Sequence, residues 1–106
     1  MEKVNDTNYT ALVEGSQLPV VLDFGATWCG PCKKLEPILE EISSAYDGRL
    51  RFLKVDVGEA PSTAQKHGVM SVPTVIFFKD GKAIHRFSGL ESKDKIQKLL
   101  AQHLGV

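Results

Sequence analysis

The sequence predicts an α/β fold in which a central mixed β-sheet of four to five strands is flanked by about four helices. Strand-like and helix-like segments alternate along the chain, which is typical of layered α/β architectures. A near-continuous apolar run over residues 19–24 is typical of a strand buried on both faces. The pair Asp80-Gly81, between two strand-like runs, indicates a hairpin and therefore an antiparallel pair. Because no linker or repeat interrupts the 106 residues, we expect residues 1–106 to form one domain.

The first two elements are predicted from caps and from the apolar run. Asn5 or Asp6 is suited to cap a first helix that continues to about Glu14, and Gly15 is suited to close it. The run over residues 19–24 then predicts a buried strand. A short link over residues 25–29 leads from this strand into the next helix.

The central helix is predicted over about residues 31–46, with Gly48 as its stop. Pro37 lies inside this helix and should kink it. Residues 51–57 read as another core strand, so the strand, helix and strand are expected to form a right-handed crossover between parallel neighbours. The helix prediction rests on apolar side chains at helical spacing, namely Leu35, Ile38, Leu39, Ile42, Ala45 and Tyr46.

Three further segments complete the predicted fold. A short helix over residues 62–67 should end at Gly68. Residues 72–78 and 83–87 are strand-like and flank the predicted hairpin. A last amphipathic helix over residues 92–104 should begin at Ser92, a favourable cap, and cover one face of the sheet.

Composition and charge exclude several classes of protein. The chain has 13 basic and 13 acidic side chains, and this balance gives no electrostatic reason to expect nucleic acid or an anionic membrane as a partner. The longest apolar run, residues 18–22, is far shorter than the ~20 residues of a membrane-spanning helix. The amino terminus has no pattern of an export signal, so a cytoplasmic location is expected. Monomeric behaviour is expected as well.

Two cysteines, Cys29 and Cys32, carry the main chemical hypothesis. One turn of helix brings a Cys-x-x-Cys pair within the distance of about 7 Å that a disulfide requires. At a helix start, unpaired N–H groups and the helix dipole favour a thiolate, which is the nucleophile in disulfide exchange. Pro31 fits the first turn. We therefore expect Cys29, before the helix, to be the exposed nucleophile and Cys32 to resolve the mixed disulfide.

The same spacing occurs in zinc sites and in pairs of inert buried cysteines. Structural zinc usually takes four ligands, and the sequence has no second cysteine pair. His67, His85 and His103 are too widely separated to make the His-x3–5-His spacing of a zinc finger. The position after a buried strand favours redox chemistry over both alternatives.

Two other residues stand out near the cysteines in the predicted fold. Asp23 interrupts an apolar strand, so burial should raise the pKa of its carboxyl group, unless it only marks the end of the strand. Pro73, next to Val72, lies at the start of a predicted strand, where proline is tolerated. Without other information a trans proline would be the ordinary expectation.

The chain resembles the thioredoxin family. The resemblance rests on Asp23-Phe24 followed by Trp28-Cys29-Gly30-Pro31-Cys32-Lys33, on Val72-Pro73-Thr74 and on the Asp80-Gly81 hairpin, and it extends over essentially the whole chain. It implies a thiol–disulfide oxidoreductase that reduces disulfides in target proteins, binds no cofactor or metal, and is itself reduced by an NADPH-dependent thioredoxin reductase.

The resemblance also implies roles for individual residues. Asp23 would move the proton when Cys32 attacks, and Lys54 would pair with Asp23. Pro73 would be cis and would leave the Val72 backbone free to pair with substrate. The substrate surface around Cys29 would consist of Trp28, Gly30, Pro31, Val72, Pro73, Gly89 and Leu90. Trp28 as a core aromatic is the alternative to its place on this surface.

The sequence departs from the family pattern at Gly25, where many thioredoxins have tryptophan. The missing side chain removes a packing group beside the cysteines, and Glu36 and Met70 also vary the nearby surface. An oxidase or isomerase would share the chemistry, but Gly30-Pro31 resembles the reducing members. A subunit that uses the fold for binding without redox turnover is the alternative from another class.

Overall fold

The computed structural model describes residues 1–106 and contains one five-stranded mixed sheet, as predicted. Its spatial order is β1-β3-β2-β4-β5, in which β1 and β2 run parallel to β3, whereas β4 is antiparallel to β2 and β5. The strands are β1 (Glu2–Val4), β2 (Val20–Gly25), β3 (Arg51–Asp56), β4 (Thr74–Lys79) and β5 (Lys82–Ser88). The predicted parallel pair β2/β3 and the antiparallel hairpin β4/β5 are both confirmed.

Helices cover both faces of the sheet. They are a π-helical segment (Thr10–Glu14), α1 (Gly30–Ala45), α2 (Pro61–Lys66) and α3 (Lys93–Leu104). Along β2, alternate side chains enter two separate apolar clusters: Leu22 packs with residues from the π-helical segment and α2, and Val21 packs with residues from α1 and α3. The prediction that this strand is buried on both faces is therefore confirmed, and it explains the absence of polar alternation along the strand.

The amino-terminal segment differs from the prediction. The expected helix over residues 5–14 is replaced by a turn and the π-helical segment, because the Asn5 side-chain oxygen accepts hydrogen bonds from the backbone of Thr7 and Asn8 within a turn. Asp6 instead accepts hydrogen bonds from the backbone of Ser62 and Thr63 at the start of α2. Strand β1 was not predicted, since three residues carry almost no periodic signal.

Most other boundaries agree with the prediction within one or two residues. Helix α1 begins at Gly30 with Cys29 as its N-cap and contains Pro37, and the Ser92 side chain accepts a hydrogen bond from the Lys95 N–H at the start of α3. Strand β4 begins two residues after its predicted start at Val72. The ladder begins at Thr74, because the preceding proline has no N–H to contribute.

Candidate active site

The cysteine pair lies where the central strand β2 leads into α1. Cys29 has an extended backbone and occupies the N-cap of α1, and its Sγ accepts a hydrogen bond from the Cys32 N–H at 3.2 Å. Pro31 lies in the first turn, where the missing N–H costs nothing. The helix start therefore directs an amide that has no partner within the helix, and the positive end of the helix dipole, at the Cys29 sulfur, which favours negative charge on that atom.

The two cysteines form a disulfide with a Cα–Cα distance of 5.3 Å, as the spacing predicted. The expectation that Cys29 is exposed is wrong for this disulfide state, because the exposed fractions are 5% for Cys29 and 6% for Cys32. Ala26 forms a small apolar cluster with the pair, and Val57 and Val72 pack against it. Exposure therefore does not distinguish the two sulfurs. The amide hydrogen bond to Cys29 does.

The histidines lie in other parts of the fold. His85 and His103 stack on each other with ring centroids 3.8 Å apart, and the His67 ring contacts the Tyr9 hydroxyl at 2.6 Å. Burial lowers the pKa of His67 and of His85. No group of three or more His, Cys, Asp or Glu side chains is placed to hold a metal ion.

One side of the disulfide is bordered by the loop before β4. The Val72–Pro73 peptide is cis, as the resemblance implied, and the Val72 carbonyl oxygen lies 3.8 Å from the Cys29 Sγ. Gly89 has a φ of +90° and donates its N–H to the Pro73 carbonyl at 2.9 Å, which holds the β5 end against this loop.

An exposed apolar surface adjoins this loop. Trp28 is 77% exposed, so its interpretation as a core aromatic is wrong. It lines a groove of about 190 Å³ together with Met70 and Val72, and Met70 is 95% exposed. Leu90 is exposed as well. Large apolar side chains that gather on a surface mark an interaction site more often than isolated ones do.

Asp23 lies inside β2, two residues before its end, so the alternative that it only marks the strand end is wrong. The side chain is buried, and its Oδ1 has no hydrogen-bond partner. Burial and, to a smaller extent, the negative charge of Glu36 raise the pKa of Asp23 to about 7 against the opposite effect of Lys54. The predicted rise through desolvation is confirmed.

Lys54 does not form the ion pair with Asp23 that the resemblance implied. It faces Asp23 across the β2/β3 register, but its Nζ donates to the Glu36 Oε1 at 2.7 Å. The hydrogen bond to Glu36 is also the main cause that raises the pKa of Lys54. A half-exposed carboxylate keeps its charge at a low desolvation cost, so Glu36 is the better partner for the ammonium group.

Glu36 is thus a residue whose contact the sequence did not reveal. A usable signal was present, since Glu36 follows Cys32 by four residues and therefore lies on the same face of α1.

These groups surround a pocket of about 290 Å³ behind the disulfide. Cys29 does not line this pocket. The residues that line it include Asp23, Gly25, Cys32, Lys33, Glu36 and Lys54. The redox centre therefore has two differently lined sides: an apolar loop and groove beside Cys29, and a charged pocket beside Cys32.

None of the helices combines the length and the apolar composition that a membrane-spanning helix requires.

Comparison with known proteins agrees with the arrangement of the site. The thioredoxin family model matches residues 1–102. Thioredoxins of Staphylococcus aureus strains Mu50 and MW2 are each 48% identical to this chain over 103 residues, which is 96% of both chains. A disulfide at the start of a helix after the central strand, in a chain matched over nearly its full length, shows that this protein belongs to the thioredoxin family of thiol–disulfide oxidoreductases.

Proposed function

We propose that the chain is a general reductase of protein disulfides. The observation that supports this function best is the disulfide at the N-terminus of α1, where the Cys32 N–H donates to the Cys29 Sγ. After reduction, this donor and the helix dipole stabilise a thiolate at Cys29. The single domain proposed for residues 1–106 would then contain the whole reaction centre.

The proposed reaction has two exchange steps. In the first, the Cys29 thiolate attacks a target disulfide, a bond forms between the two sulfurs, and the other target sulfur leaves as a thiolate. In the second, Cys32 loses its proton and attacks the Cys29 Sγ, which forms the Cys29–Cys32 disulfide and releases the second target thiolate. Two electrons pass from the dithiol to the target.

We assign to Asp23 the proton transfer of the second step. Asp23 and Cys32 line the same pocket, and a carboxyl group with a pKa of about 7 accepts and returns a proton near neutral pH. In this scheme Lys54 tunes Asp23 through space, while its direct contact is with Glu36. Asp23→Asn should therefore slow the second step more than the first. This assignment would be contradicted if each step had the same single-turnover rate in Asp23→Asn as in the wild type.

The proposed substrate surface consists of the Val72 backbone and of apolar or small residues around Cys29. The proximity of the Val72 carbonyl to the Cys29 Sγ supports this assignment, because an extended target segment paired with that backbone brings its disulfide to the sulfur. The remaining members are Trp28, Gly30, Pro31, Pro73, Gly89 and Leu90.

Family membership implies disulfide-containing targets and a reductase partner in general terms. We propose specifically that an NADPH-dependent thioredoxin reductase restores the dithiol, that the chain works as a cytoplasmic monomer without nucleic acid or membrane partners, and that it binds no cofactor.

An insulin-reduction assay on the wild type, Cys29→Ser and Cys32→Ser tests the proposal. We expect the wild type to reduce insulin with dithiothreitol as the electron source, Cys29→Ser to be inactive, and Cys32→Ser to accumulate a mixed disulfide at Cys29. Activity in Cys29→Ser would contradict the assigned nucleophile, and an inactive but folded wild type would favour a binding subunit. A strongly oxidising reduction potential would favour an oxidase instead.

A further inference from the structure

The pocket behind the disulfide reaches Cys32 because residue 25 has no side chain. A Cβ built on Gly25 lies 3.4 Å from both the Cβ and the Sγ of Cys32, so a larger side chain there would occupy the space against this sulfur. The Gly25 backbone does not have a positive φ, and the residue type is therefore not required by the chain conformation. The absence of a side chain at Gly25 leaves the pocket open beside Cys32.

We propose that this pocket is a second entrance to the redox centre, through which a small thiol that carries an anionic group reduces the disulfide by attack on Cys32. The proposal rests on the disulfide-exchange function above and concerns the reductant of the same centre. The volume of about 290 Å³ is close to the lower limit of roughly 300 Å³ for ligand pockets. A protein target does not fit inside such a pocket, but a small thiol does.

The leaving group favours attack on Cys32 over attack on Cys29. Exchange is faster when the departing sulfur is the more stable thiolate. Attack on Cys32 expels Cys29, whose sulfur accepts the Cys32 N–H and lies at the positive end of the α1 dipole. Attack on Cys29 would expel Cys32, to whose sulfur no hydrogen bond is donated.

The charges of the lining indicate the class of thiol. Lys54 is paired with Glu36, and Lys3 is paired with Glu59, whereas Lys33 has no ion-pair partner. With Asp23 ionised, as its role as proton acceptor requires, the three lysines of the lining are matched by three carboxylates, Asp23, Glu36 and Asp56, so the preference depends on which charges lack a partner. Asp23 is buried, and the Asp56 Oδ1 accepts hydrogen bonds from the backbone N–H groups of Gly58 and Glu59, whereas the Lys33 ammonium group is exposed and has neither an ion-pair nor a hydrogen-bond partner. An anionic group on the ligand therefore finds an unpaired ammonium group at Lys33.

The step balances within the named groups. The thiol gives its proton to the Asp23 carboxylate, and its sulfur forms a bond with the Cys32 Sγ. The Cys29–Cys32 bond breaks, and its electron pair remains on Cys29 as the thiolate. A second thiol then attacks the sulfur of the bound small thiol, which forms the small-molecule disulfide and releases Cys32 as a thiolate, and the proton of the second thiol passes to the Cys32 sulfur.

Two experiments on the full chain test the proposal. First, the oxidised wild type is mixed with 3-mercaptopropionate, newly formed thiols are alkylated rapidly, and peptide mass spectrometry locates the mixed disulfide. We expect the adduct on Cys32 and the alkyl group on Cys29. The reverse distribution would overturn the proposal, whatever the behaviour of the variants.

Second, reduction rates are compared for thiols of similar size with different charge: 3-mercaptopropionate, 2-mercaptoethanol and cysteamine. Each rate is expressed relative to exchange of the same variant with insulin. We expect Gly25→Leu to lower the relative rate for 3-mercaptopropionate at least tenfold, and the smaller Gly25→Ala to lower it less than threefold. Lys33→Gln should remove the preference for the anionic thiol over cysteamine.

Unchanged relative rates in Gly25→Leu would overturn the proposal. If Gly25→Leu does not fold by circular dichroism, adduct mapping in the wild type decides. A wild type that forms the Cys32 adduct but does not reduce insulin would contradict the proposed function and leave this entrance intact, so the two failures are distinguishable.

Discussion

Replacement of Asp23 by asparagine should remove a large pH dependence of stability. The carboxyl group has a pKa of about 7 in the folded chain against 3.8 ordinarily, a rise of about three units. At about 1.4 kcal/mol per unit, the free energy of unfolding should lose about 4 kcal/mol from this group.

The sign and the pH window follow from proton binding. Between about pH 4 and pH 7 the folded chain holds the Asp23 proton and the unfolded chain does not, so stability falls as the pH rises. The contribution is fully present below about pH 4 and fully lost above about pH 7. Asparagine is nearly isosteric and does not ionise, so the free energy of unfolding of Asp23→Asn should not depend on pH through residue 23.

Urea unfolding of both oxidised proteins at several values between pH 4 and pH 8.5 measures the effect. We expect the wild type to lose about 4 kcal/mol more than Asp23→Asn over this range. The quantity compared is the change in the free energy of unfolding with pH in each protein. The titration of all other groups and the pH-independent cost of the amide are therefore the same on both sides and cancel. Parallel stability curves, within about 1 kcal/mol, would refute the assigned burial energy of Asp23.

Three further predictions address single contacts. Glu36→Gln should lower the pKa of Asp23, because it removes a nearby negative charge and frees Lys54. Carboxyl NMR titration measures this pKa. The control Glu41→Gln loses only an exposed ion pair and should leave the pKa of Asp23 unchanged. Ser92→Ala should cost about 1 kcal/mol in urea unfolding through loss of the α3 cap, and an unchanged midpoint would show that this cap is not needed. Asp6→Asn should lower the melting temperature above about pH 4, and the difference should shrink as the pH falls further, because the hydrogen bond from Thr63 lowers the pKa of Asp6. A difference that stays constant as the pH falls below about 4 would contradict this.

Periodicity and local caps were sufficient to predict most of the fold. The buried strand β2, helix α1, the Asp80-Gly81 hairpin and the Ser92 cap all depend on residues close to each other in sequence. The amino-terminal segment was mispredicted because the partner of Asp6 lies 56 residues away on α2, and no local pattern contains that contact.

The site was predicted where it depends on the motif and mispredicted where several elements meet. The disulfide follows from spacing, and the burial of Asp23 follows from the apolar strand around it. The partner of Lys54 depends on whether β2 or α1 offers the better acceptor, which sequence proximity does not reveal. The exposure of Cys29 depends on the side chains that pack over it from other loops.

The Asp23 carboxyl group has no structural benefit that offsets its cost. Its Oδ1 has no hydrogen-bond partner, and the nearby ammonium group of Lys54 is bonded to Glu36. Groups that destabilise the fold in this way concentrate at functional sites. The two sulfurs also differ in how a thiolate is stabilised on them. The N–H of Cys32 donates to the Cys29 sulfur and stabilises a thiolate there, whereas no group donates a hydrogen bond to the Cys32 sulfur. A base with a pKa of about 7 beside Cys32 compensates for that difference, which supports the assignment of proton transfer to Asp23.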